Sequence, residues 1–304
     1  MNAPDDRPSI APSLSEGRRP GAKHRARRLL TIVVIVAATT YLAVCVGVYF
    51  AQPHLIYFPS PTYVSTPSDF HLDYEDLTLT SADGVAIAAW FVPHPEARAS
   101  VILCHGNAEN LGDMCTTIRT LHRLGYAVLA LDYRGYGRSA GKPTEEGLYL
   151  DAEAAWQYLR QTRGEPAERI VVIGRSVGGA VAIDLASRHQ PAALVVECTF
   201  TSLVDIGRRE YPLLPVSLIC THRYESIRKV GRIACPKLFF HGTDDELIPL
   251  DNAKRLFAAA AEPKEFIETP GGHNSAGFEH NWSCTQRLAT WLERVLRERA
   301  ASSP

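Results

Sequence analysis

The apolar and polar positions of this chain form one long uncharged run, then short apolar blocks alternating with amphipathic stretches. The long run extends from Leu29 to Phe50. At 1.5 Å per residue it is about 33 Å long as a helix, enough to cross a bilayer core of about 30 Å, and it predicts a transmembrane helix. Residues 51–70 carry Pro53, Pro59, Pro61 and Pro67 with little periodicity, and read as a linker to a domain spanning 71–304.

In that domain Leu77 and Leu79 alternate with Thr78 and Thr80, and Ala82-Asp83-Gly84 turns the chain into Val85 to Val92. This is the signature of a β-hairpin with an Asp-Gly turn. Short apolar blocks follow at Ser100 to Cys104, Ala127 to Leu131, Ile170 to Ile173, Ala193 to Val196, Lys237 to Phe240 and Glu265 to Glu268, each long enough for one buried strand. The intervals have helical spacing. The first runs from just after Asn110 to about Leu124, and the second from Thr144, a capping residue, to about Arg163. Others span Ala180 to His189, Asn252 to Ala261 and Glu279 to Arg299, the last with Leu288, Trp291, Leu292, Val295 and Leu296 on one face. Continuous apolar strands alternating with helices predict an α/β fold, a mostly parallel sheet with helices on both faces.

Residues 198–236 interrupt the alternation. About forty residues can supply helices and a lid but not a full cap domain. Within them Tyr211 to Val216 offers either an apolar wall for an acyl chain or a hydrophobic cover for the sheet.

Charge adds an orientation. The 304 residues sum to a net charge of -1, but the tail over residues 1–28 is +4 and the remainder -5. Its cluster Lys23 to Arg28 abuts the apolar run and predicts a cytoplasmic N-terminus, with the domain on the non-cytoplasmic side. A cleaved signal peptide would have a shorter apolar region and small residues at its end. Leu42-Ala43-Val44-Cys45 only faintly resembles a lipoprotein box, because Val44 is too bulky for its place. The mildly acidic body gives no reason to expect nucleic acid. None of the seven cysteines forms a Cys-x-x-Cys pair or a zinc spacing. In an oxidising compartment a pair such as Cys220 and Cys235 could bridge.

The chemistry gathers just after strands, where ligands of such sheets bind. Gly174-Arg175-Ser176-Val177-Gly178 follows an apolar β-branched block and opens a helix, as a nucleophile elbow does. A serine nucleophile needs a base, a group to orient that base, and donors for an oxyanion. Asp245 is the expected acid, with Asp244 and Glu197 as alternatives. His273, in Gly271-Gly272-His273-Asn274, is the expected base, and His280 the less suitable alternative. The oxyanion donors are expected to be the backbone N–H of Val177 and that of Asn107 or Ala108. His105 is read as a support for its loop, and Arg134, Tyr136 and Arg138 as structural. No metal or organic cofactor is called for.

These stretches together resemble the α/β-hydrolase superfamily over nearly all of residues 75–300. Those that carry the resemblance are His105-Gly106-Asn107-Ala108, Asp132 to Ser139, Glu145 to Asp151, Gly174 to Ile183 and Gly272-His273-Asn274. Within the superfamily the chain is similar to the membrane-anchored serine hydrolases of the alpha/beta hydrolase domain-containing protein thirteen branch. The resemblance implies the α/β-hydrolase fold, Ser176 as nucleophile, Asp245 as acid, His273 as base and an N-terminal signal anchor. The expected activity is cleavage of a carboxylic ester or thioester of a small or lipid-like acyl substrate through an acyl-serine. A serine peptidase or amidase on the same fold is the alternative enzyme. A catalytically silent interaction module is the non-enzymatic one.

Overall fold

The structure, a computed structural model, describes residues 22–302. Most of the expected basic tail, residues 1–21, lies outside them. Contacts divide the chain after Gly47. In the N-terminal unit the apolar run lies inside one continuous helix, α1 (Ala22–Ile56), whose most apolar stretch has a mean hydropathy of 2.5 and is almost wholly exposed. It is long and apolar enough to cross a membrane.

The body begins at Val48. Among its described residues are eight strands: β1 (Glu75–Thr80), β2 (Ala86–Val92), β3 (Ser100–Cys104), β4 (Ala127–Leu131), β5 (Ile170–Arg175), β6 (Ala193–Glu197), β7 (Lys237–Gly242) and β8 (Lys264–Thr269). They form one sheet in the order β1-β2-β4-β3-β5-β6-β7-β8. The hairpin is the antiparallel edge, and β2 also runs antiparallel to β4. All pairings from β4 through β8 are parallel. The order reverses at β3, and β5 lies beside it in the middle of the sheet.

Both faces are covered, as the continuous apolar strands require. On one face α3 (Glu145–Gln157), α4 (Val177–His189) and α8 (Leu250–Ala259) pack over Ile102, Leu129, Val172 and Phe239. On the other, α2 (Cys115–Arg123) and α9 (Trp282–Ser302) pack over Val101, Val128, Val171 and Leu238. Burying each such side chain stabilises the fold by roughly 1.5–3 kcal/mol. Helix α4 is buried from Val177 to Ala186 and apolar there except for Asp184, which is paired with Arg188 and Lys229, because the helix lies beneath other elements rather than at the surface. Thr144 caps α3 as expected, its hydroxyl accepting from Gly147 N–H at 3.0 Å.

Three expectations change. Helix α2 starts at Cys115 rather than just after Asn110. Side chains hold the intervening turns: Asn110 Oδ1 accepts from Gly112 N–H, Asp113 Oδ2 from Asn110 N–H, and Asp132 Oδ1 from Leu111 N–H. The stretch expected as one helix to about Arg163 changes pitch: α3 ends at Gln157 and a π-helical turn continues over Tyr158–Thr162, with Arg163 as its C-cap. The stretch 51–70, expected as a linker, belongs to the body. Residues through Ile56 are helical, Tyr57 and Pro67 are buried, and Tyr63 donates its hydroxyl hydrogen bond to Asp132. Its prolines and low periodicity describe an irregular but packed segment, a distinction invisible to local pattern. Residues 198–236 hold α5 (Leu203–Glu210), α6 (Val216–Ile219) and α7 (Ser226–Lys229), short helices beside the strand ends. Cys220 and Cys235 are both free thiols.

Candidate active site

The centre of the site is the turn between β5 and α4. Ser176 has φ +53° and ψ -120°, a left-handed backbone that ordinary residues avoid. Such a backbone persists only where its surroundings enforce it. Glycines on either side make it possible. A Cβ on Gly178 would lie 2.3 Å from the Cys104 carbonyl oxygen, and one on Gly174 would lie 2.2 Å from that of Gly178. The elbow can therefore press against β3 only without those side chains. The turn is held by Ser176 N–H donating to the Glu197 carbonyl at 2.8 Å, and by the Thr199 hydroxyl donating to the Ser176 carbonyl at 2.8 Å.

Two other strand ends converge on this serine. Nε2 of His273, from the loop after β8, lies 3.1 Å from Ser176 Oγ, and its Nδ1 lies 2.9 Å from Asp245 Oδ2, after β7. Asp245 is buried, and its other oxygen accepts from Leu247 N–H at 3.1 Å and Ile248 N–H at 2.7 Å. Burial alone would raise its pKa, but the His273 hydrogen bond and the Ile248 N–H outweigh burial and hold the carboxyl below its ordinary range. An ionised Asp245 selects the His273 tautomer with its proton on Nδ1, leaving Nε2 to accept from Ser176. Asp244 instead turns outward, toward Thr243 and the Gly271 N–H. Glu197 is buried behind the elbow, accepting from Phe278 N–H at 2.7 Å. His280 is half-exposed beside Glu279.

Val177 opens α4, so its N–H has no carbonyl one turn back to bind. Asn107 and Ala108 line the same cavity as Ser176, Val177 and His273. Their loop is braced from below. The Tyr136 hydroxyl donates to Asn107 Oδ1 at 2.8 Å, and buried His105 bonds through Nδ1 to the Gly106 carbonyl. Arg134 is tied to Asp83 and Asp151, away from the cavity, while exposed Arg138 pairs with Asp76.

Sequence reasoning missed two site residues. Arg175 donates through Nη2 to the His273 carbonyl at 2.8 Å and through Nη1 to Glu109 Oε1 at 3.2 Å. The other oxygen of Glu109 accepts from Gly106 N–H at 2.6 Å. One arginine therefore ties the elbow to both the histidine loop and the Asn107 loop. Arg175 occupies a variable position of the Gly-x-Ser-x-Gly pattern, which carries no signal. The carboxylate at Glu109, three residues after a loop glycine, was the available hint.

Cys198, His241 and Asp245 bring potential metal donors within 4.8 Å of one another. Each is committed elsewhere. His241 Nε2 is bonded to the Ile248 carbonyl, Asp245 is shared between His273 and two amides, and burial pushes the Cys198 thiol up to about 12. The trio does not offer an open site.

Beside Ser176 opens a cavity of about 460 Å³, within the range of small-molecule sites. Tyr211, Leu214 and Val216 line it, so the stretch Tyr211 to Val216 contributes a wall, although Leu213 turns outward and is 85% exposed.

The family described as "Serine aminopeptidase, S33" matches residues 95–213. The chain is 39% identical over 251 residues to the uncharacterized protein Rv2307c of Mycobacterium tuberculosis, covering 81% of this chain and 89% of that one. It is 35% identical over 247 residues to the alpha/beta hydrolase domain-containing protein WAV2 of Arabidopsis thaliana, covering 73% and 80%. Among solved structures, the esterase Pf2001 of Pyrococcus furiosus superposes with a TM-score of 0.66 at 25% identity, covering 79% of this chain and 99% of the esterase.

Proposed function

We propose that this chain, which belongs to the α/β-hydrolase superfamily, is a membrane-tethered serine hydrolase that cleaves a carboxylic ester or thioester through an acyl-Ser176 intermediate. The observation that carries the reading is the line from Ser176 Oγ through His273 to Asp245, at 3.1 Å and 2.9 Å, meeting at a serine with φ +53°. His273 Nε2 takes the hydroxyl proton as Oγ bonds to the acyl carbon, and Asp245 stabilises the imidazolium. The oxyanion accepts from Val177 N–H and from Asn107 or Ala108 N–H. The bond to the alcohol or thiol breaks, and His273 returns the proton to that leaving group. Water, deprotonated by His273, then releases the acid and restores Ser176. On this reading α1 is the tether. The basic flank, Lys23 to Arg28, supports a cytoplasmic N-terminus with the hydrolase domain on the other side.

The matched family's description favours a second reading, a serine aminopeptidase. The mostly apolar cavity supports an acyl substrate better, since an aminopeptidase must hold an ammonium group. Turnover of aminoacyl amides without turnover of nitrophenyl esters would favour the peptidase. The primary test is labelling by a small fluorophosphonate. Wild type is expected to label and Ser176→Ala to lose the label; equal labelling of both would end the claim.

A further inference from the structure

The cavity beside Ser176 is asymmetric. Among its polar lining residues, Arg175 and Asn274 adjoin Ser176 and His273 in the chain, and Asn107 follows β3, the strand paired with β5. The rest of the lining is mostly apolar, with Ile206 from α5, Val216 and Ile219 from α6, and Val48, Leu55 and Ile56 from the last turns of α1. Glu210 sits at the exposed rim, within reach of Arg209.

The one buried polar side chain on the apolar walls is spent. Gln52 donates through Nε2 to the Ile219 carbonyl at 2.8 Å and the Tyr49 carbonyl at 3.0 Å. Its Oε1 accepts from Thr221 N–H at 2.8 Å and from the Thr221 hydroxyl at 3.2 Å. An amide so fully bonded has nothing left for a ligand, and it staples the end of α1 to the segment that closes the cavity. One turn on, the Tyr57 hydroxyl pairs with that of Tyr224 at 2.8 Å and lies 3.1 Å from His222 Nδ1. The wall is therefore pinned before any substrate arrives. A pinned apolar wall spares the bound chain the cost of ordering it.

We propose that this cavity is a fatty-acyl site, that the end of α1 is its fixed wall, and that the substrate is a long-chain acyl ester of the kind membranes supply. This rests on the reading of Ser176 as the nucleophile. The polar end holds the scissile carbonyl and the apolar end the hydrocarbon. The helix that carries the apolar run thus ends as part of the substrate site, and chain-length preference is set by residues next to the tether.

The test uses the full-length protein in detergent and a series of nitrophenyl esters from acetate to dodecanoate. Wild-type kcat/KM is expected to rise about fourfold per methylene until the cavity is filled. Leu55→Trp, from α1, and Ile206→Trp, from α5, are each expected to lower the dodecanoate-to-acetate ratio at least tenfold. The ratio is internal to each variant, so partial misfolding does not mimic the effect. A flat wild-type series, or an unchanged ratio in Leu55→Trp, overturns the acyl site while fluorophosphonate labelling of Ser176 leaves the hydrolase reading standing. No ester turnover together with no labelling overturns both.

Discussion

Two arginines, Arg134 buried and Arg175 partly buried, stand just beyond or at the end of apolar strands, and they differ in what they hold. Arg134, after β4, spends its guanidinium on carboxylates and one hydroxyl: Asp151 at 2.8 and 3.0 Å, Asp83 at 2.7 and 3.0 Å, and Ser81 at 3.1 Å. Its hydrogen bond holds the Asp83 carboxyl at about 2. Burial pushes the Asp151 carboxyl up, the opposite of what an ion pair suggests. We take Asp151 as ionised, because guanidinium N–H groups and the Arg134 amide all end on its two oxygens, a donor set suited to a carboxylate. Arg175, at the end of β5, instead divides its donors between the Glu109 carboxylate and the backbone carbonyl of His273, with the Glu279 carboxylate 3.8 Å away. The first arginine closes on itself as a clamp between hairpin and helix. The second spans three loops of the site. Residue type and position after a strand do not separate these roles; the partners do.

The comparison is sharpened most by removing the clamp. Arg134→Met leaves Asp151 buried without its partner, and the expected loss is about 3–5 kcal/mol in urea unfolding. Labelling per folded molecule should stay at the wild-type level; a matching loss of labelling would place Arg134 in the site after all. Arg175→Met is expected to act on rate. Freed from its tether, the His273 loop shifts, and a displacement near 1 Å costs about 100-fold. The expected fall is in kcat with little change in KM. A loss of stability alone, with kcat intact, would make the two arginines equivalent and break the comparison.

The smallest effect concerns the carboxyl groups crowded around Arg175. Glu197 is buried, with Glu279, Arg175 and Glu109 near it, and burial followed by the Glu279 charge pushes its pKa well above the ordinary range. A raised folded-state value means that the folded protein keeps a proton the unfolded chain releases. Stability is therefore full below about pH 4.3 and falls as pH rises toward the folded value. Glu197→Gln keeps an acceptor for Phe278 N–H and removes this loss. Its unfolding free energy should match wild type below about pH 4.3 and exceed it increasingly above, by up to about 1.4 kcal/mol per pH unit. Parallel pH curves for the two proteins would show Glu197 ionised in the fold.

Much of this was legible locally. The strands β3 and β4 coincide with their apolar blocks to the residue, because a run buried on both faces must be apolar throughout. The elbow was legible because glycine leaves a visible mark wherever backbones touch. The packed segment 51–70 was not, since proline-rich chain looks the same whether it is loose or held by Tyr57 and Tyr63.

By itself, then, the sequence determined the order of the elements, the long apolar helix, and the placing of Ser176, Asp245 and His273 each after its own strand, β5, β7 and β8. Those features follow from short-range rules of burial period, backbone sterics and turn chemistry. Only the tertiary structure decided that Asp245 rather than Asp244 faces His273, that Arg175 rather than Arg134 bonds to the His273 loop, and that α1 contributes a wall to the cavity. These depend on contacts such as that between Ser176 and His273, 97 residues apart, whose geometry is set by strand register and helix packing. No local pattern encodes that distance.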